Sequence, residues 1–482
     1  MTPEVMELLV LLAETEVAAT TMQDAAKGPA AVSVKSIETT LEMTNRFNLF
    51  SCISLFVGLT AIGAWFNEKV LKLPSAVGTM LFGIILAGIL IGIGYLGIID
   101  ENQIKRFLDR YSSEVVLSFL LGLLLFSGAM QLDTALIRKY RTAIIYAATL
   151  GTVLSITITG TFVWLFMEWM NSITPPDWDY KVPFLGALLF AAIIAPTDPV
   201  AIMSLLRRLK LSQAIRAYVA GESLFNDAIS IIAFILLLQL VVFGNPLTAE
   251  EGSSATEISG WTLTLDFFWI AGGAIILGLM TGRLGVALFT SSGKDGLGIL
   301  VTIGTALGTG GLADALGVSS AVAVTIAGIT FAQFRSERDH GSENTRAVED
   351  FWTSIDGVIN PLFFALIGLE LLVLSWNLHT ALAGLMLFPI ILFARYASLS
   401  VPWLLRPGGR RINQPGLLLM TWAGMRGGVS FALALSMPVG TEEQIALRDG
   451  FILSVFIIVV MSVLVQGLTM GPVARALTTR IK

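Results

Sequence analysis

The sequence of 482 residues is poor in the residues on which soluble folds and metal sites depend. Its one cysteine, Cys52, excludes an intramolecular disulfide, and two histidines are too few for a His-rich metal site. We therefore expect no cofactor. No run of lysine and arginine is long enough to form a basic patch, so a nucleic-acid partner is not expected either. Charged residues make up only 13% of the chain, about half the share that soluble proteins have.

Long apolar stretches take the place of the missing charges. Hydrophobic residues make up 55% of the chain, and the mean hydropathy is +0.79. Apolar stretches of about 18 residues or more indicate helices that cross a lipid bilayer. We predict an all-α polytopic membrane protein with thirteen transmembrane helices, at about 47–66, 74–99, 114–131, 142–170, 183–203, 217–243, 265–290, 296–315, 318–334, 352–374, 380–404, 415–436 and 450–469.

The positive charges predict an orientation. With thirteen spans the two chain ends lie on opposite sides of the membrane, whereas twelve spans would break the alternation of the loops. If the C-terminus is cytoplasmic, the inside loops hold nineteen Lys and Arg residues, against eight in the outside loops and the N-terminal tail, as the positive-inside rule requires. Residues 1–46 lack the features of a signal peptide and are interpreted as an external tail or surface helix. Residues 471–482 are predicted to be a short cytoplasmic tail.

The fifth predicted span contains residues that a membrane helix seldom holds. In "FAAIIAPTDPVAIM", Pro196 and Pro199 flank Thr197 and Asp198 in the middle of the span. Each proline removes a backbone donor and crowds the preceding helical turn, so we expect the helix to open there. The unpaired amides and carbonyls of an open helix are tolerated in a membrane only within protein or beside a water-filled cavity.

The twelfth predicted span is interrupted as well. In "LLLMTWAGMRGGVSFALAL", Gly424, Gly427 and Gly428 surround Arg426. Broken spans in corresponding positions of two halves point to the binding site of a secondary transporter, and spans seven apart face opposite ways, as an inverted repeat requires. Where two half-helix ends cross, an acid in one break and a base in the other can compensate the dipole charges.

The sixth predicted span begins with the polar stretch "AGESLFNDA". Ser223, Asn226 and Asp227 share one helical face, because their spacings are three and four residues. This face is an oxygen-rich cluster suited to a hard monovalent cation or a proton. Glu222 lies about 140° away around the helix and needs a different partner. Arg395, the one base within the eleventh predicted span, is the candidate.

Each of these charged residues is assigned either a structural or a functional role. An ion pair between Glu222 and Arg395 is interpreted as structural, because unpaired charges at membrane depth are rare. Asp198 and Arg426 are interpreted as residues that hold the crossing. Asp356 and Glu370 in the tenth predicted span are interpreted as structural charges near opposite interfaces. Since no base in the spans remains for Asp227, this carboxylate is the predicted functional group.

Three motifs in this order and on these spans carry a family resemblance. "APTDPVA", "GESLFNDA" and "TWAGMRGGVSFALALSMP" are similar to motifs of the monovalent cation:proton antiporters of the NhaP type, relatives of the eukaryotic sodium/proton exchangers. "LFARY" and "GLTMGPVARAL" fit as well, so the resemblance covers roughly residues 50–478. It implies an NhaA-like fold with inverted repeats and two crossing broken helices. It also implies an antiporter domain at residues 47–470, made of a core and a dimerisation domain, usually in a homodimer of the cell membrane.

The resemblance also implies roles for single residues. It makes Asn226 and Asp227 the pair that binds the ion, Thr197 and Ser223 supporting ligands, Glu222–Arg395 a structural pair, and Asp198 and Arg426 the residues of the crossing. The sequence departs from many relatives at Ser127, where they have a glutamate, so a ligand or gating role there is not implied. Ala228 stands where glycine is usual.

Several functions are compatible with these residues. The first is exchange of sodium or lithium for protons by alternating access, with potassium as the alternative cation. A channel would need a continuous water-lined path, and the sequence has no repeated selectivity-filter motif. An intramembrane aspartyl protease could use Asp198 and Asp227, but Arg426 and the prolines favour charge compensation instead. Because Asn226 cannot release a proton and Glu222 is expected to stay ionised beside Arg395, the antiporter is predicted to be electroneutral, with a 1:1 exchange.

Overall fold

Seventeen helices account for most of the residues that the structure describes, and those residues contain no β-strand. The computed structural model describes residues 49–95, 114–173, 182–198, 213–243, 260–291, 295–338, 343–372, 374–405, 414–438 and 442–478. The helices are α1 (Leu49–Phe66), α2 (Ser75–Tyr95), α3 (Glu114–Met130), α4 (Thr134–Tyr146), α5 (Thr152–Ile173), α6 (Phe184–Ile194), α7 (Gln213–Phe243), α8 (Gly260–Phe267), α9 (Gly273–Ser291), α10 (Asp295–Leu316), α11 (Ser320–Arg338), α12 (Glu343–Leu369), α13 (Leu378–Leu405), α14 (Gln414–Ala423), α15 (Gly428–Leu435), α16 (Glu442–Met461) and α17 (Gly467–Thr478).

The chain divides into a short first unit, Met1–Ala61, and a large second unit, Ile62–Lys482. The described part of the first unit, residues 49–61, belongs to α1. Every contact discussed below lies within the second unit.

The lengths and the composition of the helices are those of a multi-pass membrane protein. Among the described residues, eight helices are long and apolar enough to cross a membrane, and there are ten if each of two bent pairs forms one span. The pair α3 and α4 bends by 86°, and the pair α14 and α15 by 47°. Two further apolar stretches are shorter: α6, Phe184–Ile194, and the part Ser320–Arg335 of α11.

Each of the thirteen predicted segments overlaps at least one of these helices, and the twelfth overlaps both α14 and α15, but several boundaries were predicted wrongly. Hydropathy marks only the apolar part of a helix, so α12 begins at Glu343 rather than near residue 352, and α16 at Glu442 rather than near residue 450. Residues 134–141, predicted as part of a connecting loop, lie in the amphipathic helix α4.

Three other predictions concern the ends of segments. The fifth segment, 183–203, is helical only to Ile194, and its residues 199–203, including Pro199, lie outside the described residues. The predicted tail at 471–482 is helical as far as Thr478. The predicted N-terminal tail, residues 1–46, also lies outside the described residues.

Small residues allow the helices around the centre to pack closely. Helix α2 crosses α12 at Gly83 and Gly368, where a Cβ atom on Gly83 would lie 2.4 Å from the carbonyl oxygen of Ala365. A Cβ atom on Gly368 would lie 2.6 Å from the carbonyl oxygen of Met80. Glycine lets backbones approach in this way, which is how membrane helices gain contact where water supplies no driving force between them.

Within the described residues, four π-helical turns interrupt the helices, at Asn67–Leu71, Ala147–Gly151, Phe268–Gly272 and Ser462–Gln466. Such turns are rare and occur often at functional sites, because one extra residue re-aims the side chains of the next turn. The second and the fourth of these turns lie beside the broken helices, where polar side chains are buried.

Candidate functional site

The first break follows α6. After Ile194 the chain leaves the helix, and Ala195, Pro196, Thr197 and Asp198 are non-helical although the first three of them are buried. Pro196 has no amide hydrogen and cannot continue the ladder of helical hydrogen bonds, which explains why the helix ends here. The carbonyls of the last turn and the amides of the open segment therefore need partners from elsewhere in the protein.

The second break supplies two of those partners. Residues 424–427, between α14 and α15, are also non-helical, and the carbonyl of Met425 accepts a hydrogen bond from the amide of Asp198 at 2.8 Å. The buried guanidinium of Arg426 donates through Nη1 to the carbonyls of Ala195 and Pro196, the latter at 3.2 Å. Arg426 thus places a positive charge at the C-terminal end of α6, where the helix dipole is negative.

The opposite compensation occurs at the start of α15. The side chain of Asp198 packs against Gly427, where an added Cβ atom would lie 2.8 Å from the Cβ and 3.2 Å from Oδ2 of Asp198. Gly427 directly precedes the N-terminus of α15, where the helix dipole is positive. Arg426 of the second break therefore lies at the C-terminus of α6, and Asp198 of the first break lies at the N-terminus of α15.

Asp227 lies on α7, beside the first break. Its side chain is 4% exposed, and Oδ1 accepts a hydrogen bond from the backbone amide of Thr197 at 2.9 Å. The hydroxyl of Thr197 donates to Ser223 Oγ at 3.1 Å. Among the described residues Asp227 has no ion-pair partner. The structure thus brings together the four predicted ion-binding residues, because Asp227, Ser223 and Asn226 all contact Thr197.

Asn226, the fourth predicted residue, contacts Thr197 of the same set, and hydrogen bonds occupy its whole amide. Its Nδ2 donates to the carbonyl of Ala195 at 2.9 Å and to Thr197 Oγ1 at 3.3 Å. Its Oδ1 accepts from Thr152 Oγ1 at 2.6 Å and from Ser230 Oγ at 3.4 Å. Two donor hydrogens and two acceptor lone pairs are all that an asparagine amide has, so every one is occupied. In this arrangement Asn226 braces the open segment after α6.

Sequence reasoning missed both hydroxyls that hold the Asn226 oxygen. Ser230 lies one helical turn after Asn226, so the spacing of four residues could have indicated it. Thr152 lies on another helix, directly after the π-helical turn Ala147–Gly151, and no pattern in its local sequence points to Asn226.

Glu222 and Arg395 form a buried ion pair on the side of α7 away from Asp227. Nη2 of Arg395 lies 3.0 Å from Oε2 and 3.3 Å from Oε1 of Glu222. The guanidinium also lies against Gly424 in the second break, where an added Cβ atom would be 1.9 Å from Arg395 Nε. The pair therefore joins α7 and α13 to the broken span α14–α15.

A second polar network, also missed from the sequence, supports the second break from the end of the chain. The amide of Arg426 donates to Ser462 Oγ at 2.8 Å, and Ser462 donates to the side chain of Gln466. Gln466 Nε2 donates in turn to the carbonyl of Trp422 at 3.0 Å. Ser462 and Gln466 are the first and last residues of a π-helical turn, which brings both side chains to the same break.

The departure at Ser127 has a structural explanation. Its buried hydroxyl on α3 donates to the carbonyl of Trp352 on α12 at 3.0 Å, and Gln131 Nε2 donates to the same hydroxyl at 3.2 Å. The indole of Trp352 donates to Thr302 Oγ1 at 3.0 Å. Ser127 is thus part of the contact between α3 and α12 and is occupied by its own hydrogen bonds.

A cavity opens where these elements meet. Its volume is about 40 Å³, room for about three waters at the usual requirement of about 10–15 Å³ each. Its polar lining includes Thr197, Asp198, Asp227 and Asn360, and apolar side chains of α3, α7 and α12 complete the wall. Oxygen ligands around one carboxylate suit a hard monovalent cation or a proton. Among the described residues no group of three or more His, Cys, Asp and Glu side chains could hold a metal ion as a cluster.

Comparisons with known proteins agree on one family. The family profile described as "Sodium/hydrogen exchanger, transmembrane" matches residues 56–476. The Na(+)/H(+) antiporter NhaP of Pseudomonas aeruginosa is 31% identical over 435 residues, which are 89% of this chain and 96% of that protein. The Na(+)/H(+) antiporter NhaH of Halobacillus dabanensis is 26% identical over 413 residues, 85% of this chain and 93% of that protein. The solved structure of the sodium proton antiporter MjNhaP1 from Methanocaldococcus jannaschii superposes with a TM-score of 0.68 at 20% identity, covering 91% of this chain and 99% of that one, so it is similar in fold.

Proposed function

The chain belongs to the sodium/hydrogen exchanger family, and from that premise we propose that it exchanges sodium or lithium ions for protons across a membrane. The observation that supports this most directly is Asp227. This carboxylate is buried at the crossing of two broken helices, lines a cavity that admits water, and has no ion-pair partner among the described residues.

The chemistry of exchange follows from that position. An uncompensated charge in a low-dielectric interior is costly, so the Asp227 carboxylate holds either a proton or a cation. Thr197 fixes one carboxylate oxygen with its backbone amide, and the hydroxyls of Thr197 and Ser223 stand beside it as further oxygens. Because both occupants use one carboxylate, a cation binds as the proton leaves. Alternating access then carries one occupant in each direction.

The exchange is electroneutral, one cation for one proton. Asn226 is neutral and releases no proton, and its amide is committed to the brace around the break. Glu222 stays with Arg395 and does not exchange. Asp198 remains at the N-terminus of α15 and Arg426 at the C-terminus of α6, where each offsets dipole charge. One titrating carboxylate therefore leaves the same net charge in both forms of the site.

The finer architecture belongs to the same proposal. Thirteen spans in an NhaA-like inverted repeat, with residues 47–470 as a core and a dimerisation domain, fit the thirteen apolar segments and the crossing. The positive charges support a cytoplasmic C-terminus, a short tail at 471–482, and an N-terminal tail, 1–46, outside the cell. A homodimer in the cell membrane that contributes to pH homeostasis is the form proposed for the working protein.

Exchange by purified protein in liposomes tests the assignment of Asp227. We expect the wild type to move protons when sodium or lithium is added, and Asp227→Asn to have no measurable exchange while its melting temperature stays close to that of the wild type. Asp133→Asn is the matched control, since Asp133 is exposed and caps α4, a role that asparagine also fills. Exchange by Asp227→Asn would contradict the assignment, and potassium in the same assay distinguishes the alternative cation.

The stoichiometry is tested by imposing a membrane potential. Potassium and valinomycin set the potential while the pH is equal on both sides, and radioactive sodium measures flux. An electroneutral exchanger gives the same sodium flux at every potential, although a proton gradient still drives it. Sodium flux that follows the potential would show that a second charge moves with each cycle.

A further inference from the structure

One side of helix α12 carries two polar residues, Asp356 and Asn360, next to the same region. Trp352, Asp356, Asn360 and Phe364 are spaced four residues apart, so they follow one another along one side of the helix. The first of them is held by Ser127 and Thr302. The last two line the cavity that also contains Asp227. The family motifs of the sequence contain neither Asp356 nor Asn360.

The amide of Asn360 has a defined orientation. Its Nδ2 donates to Oδ1 of Asp356 at 2.9 Å and to the carbonyl oxygen of Asp356 at 3.1 Å. Both of these oxygens only accept hydrogen bonds, so the NH2 group of Asn360 has to face them. The carbonyl oxygen of the same amide is then turned away from Asp356, and among the described residues it accepts no hydrogen bond.

The other neutral side-chain oxygens near the cavity already take part in hydrogen bonds. The amide oxygen of Asn226 accepts hydrogen bonds from two hydroxyls, and the hydroxyl of Ser127 donates to the carbonyl of Trp352 on α12. Thr197 and Ser223 already share one hydrogen bond. A cation that enters a protein site needs oxygens that replace its hydration shell, as the carbonyls of ion-channel filters do. Asn360 can supply such an oxygen from the wall of the cavity that α12 forms.

We propose that Asn360 is a cation ligand of the exchange site, through its Oδ1, and that Asp356 is the positioning residue that turns this oxygen toward the cavity. This inference rests on the proposed function of Asp227. A neutral amide adds an oxygen without adding a second charge or a second exchangeable proton. It is therefore compatible with a 1:1 exchange.

Sodium dependence of exchange in liposomes tests the ligand. Asn360→Ala should raise the KM for sodium by about tenfold, as expected for the loss of one contact to a charged group, with little change in the maximal rate. The ratio of the KM values for lithium and sodium should shift too, because the two ions differ in the oxygens that they need. Ser354→Ala, on the exposed side of α12, is the control and should leave both values unchanged.

A second variant separates positioning from folding. Asp356→Asn removes no group from the cavity wall, but its new amide can donate to Asn360 and turn the oxygen away, so the KM for sodium should rise severalfold at an unchanged melting temperature. A KM within twofold of the wild type in both variants, with an unchanged lithium-to-sodium ratio, overturns the role of Asn360 and leaves Asp227 untouched. Wild-type protein without any exchange overturns the proposed function itself.

Discussion

Replacing Gly424 by alanine should break an ion pair to which Gly424 does not belong. Gly424 lies in the second break, in direct contact with the guanidinium of Arg395. An added Cβ atom would lie 1.9 Å from Nε, 2.4 Å from Cζ and 2.6 Å from Nη2 of that arginine. Ordinary contact begins near 3.4 Å, so Nε has to retreat by 3.4 − 1.9 = 1.5 Å, or the backbone of the break has to move instead.

The size of the effect follows from the partner of Arg395. Its Nη2 lies 3.0 Å from Glu222 Oε2, and an ion pair is held to about 4 Å, so a shift of 1.5 Å exceeds the margin. Breaking a buried pair by removing one partner costs about 3–5 kcal/mol. Because Arg395 is displaced rather than removed, we expect Gly424→Ala to lose about 3 kcal/mol, the lower end of that range.

The melting temperature of the purified protein measures this loss. Gly304→Ala is the control, because no atom lies within 4 Å of the added Cβ atom and alanine in a helix is neutral or slightly stabilising. In an Arg395→Ala background the clash is gone, so Gly424→Ala should add no further loss there. The steric explanation is wrong if Gly424→Ala has the same melting temperature as Gly304→Ala. It is also wrong if Gly424→Ala lowers the melting temperature in the Arg395→Ala background.

Two further predictions concern residues that brace the breaks. Thr152→Val removes a donor to Asn226 without changing the size of the side chain, so we expect exchange to slow severalfold, whereas Thr157→Val, at an exposed hydroxyl that bonds its own helix, should have no effect on the transport rate. Gln466→Leu leaves a buried carbonyl of the second break without its donor at a cost of about 1–3 kcal/mol. Its melting temperature should fall below that of Gln414→Leu, an exposed control; equal melting would show that the carbonyl has another partner.

The breaks themselves could be predicted from the sequence, because their signals are local. Two prolines around an aspartate, or three glycines around an arginine, have no ordinary place in an apolar span, and helical geometry alone separates Glu222 from Asp227. Because Glu222 points away from the helical face of Asp227, it could be assigned a partner on another helix. Arg395 was the one base in its span, and the structure brings the two within 3.0 Å.

The supports of the breaks could not be predicted in this way. Thr152 reaches Asn226 across 74 residues of sequence, and Gln466 reaches Trp422 across 44. Both are aimed by π-helical turns, which a sequence of ordinary helix formers does not reveal. For the same reason the sequence did not show that two hydroxyls, those of Thr152 and Ser230, donate to the side-chain oxygen of Asn226. Hydropathy likewise could not detect α4, because an amphipathic helix has no long apolar run.

The hydrogen bonds of Arg426 have a consequence for how the protein is made. Its guanidinium satisfies the carbonyl of Ala195, which is synthesised 231 residues earlier. At about 5–20 residues per second, the ribosome needs on the order of 10 to 50 s to make the intervening chain. During this time the carbonyls of Ala195 and Pro196 lack the arginine that pairs with them in the folded protein. Until then, these carbonyls need water or the membrane-insertion machinery as partners. The crossing can assemble only after the twelfth predicted span has been synthesised.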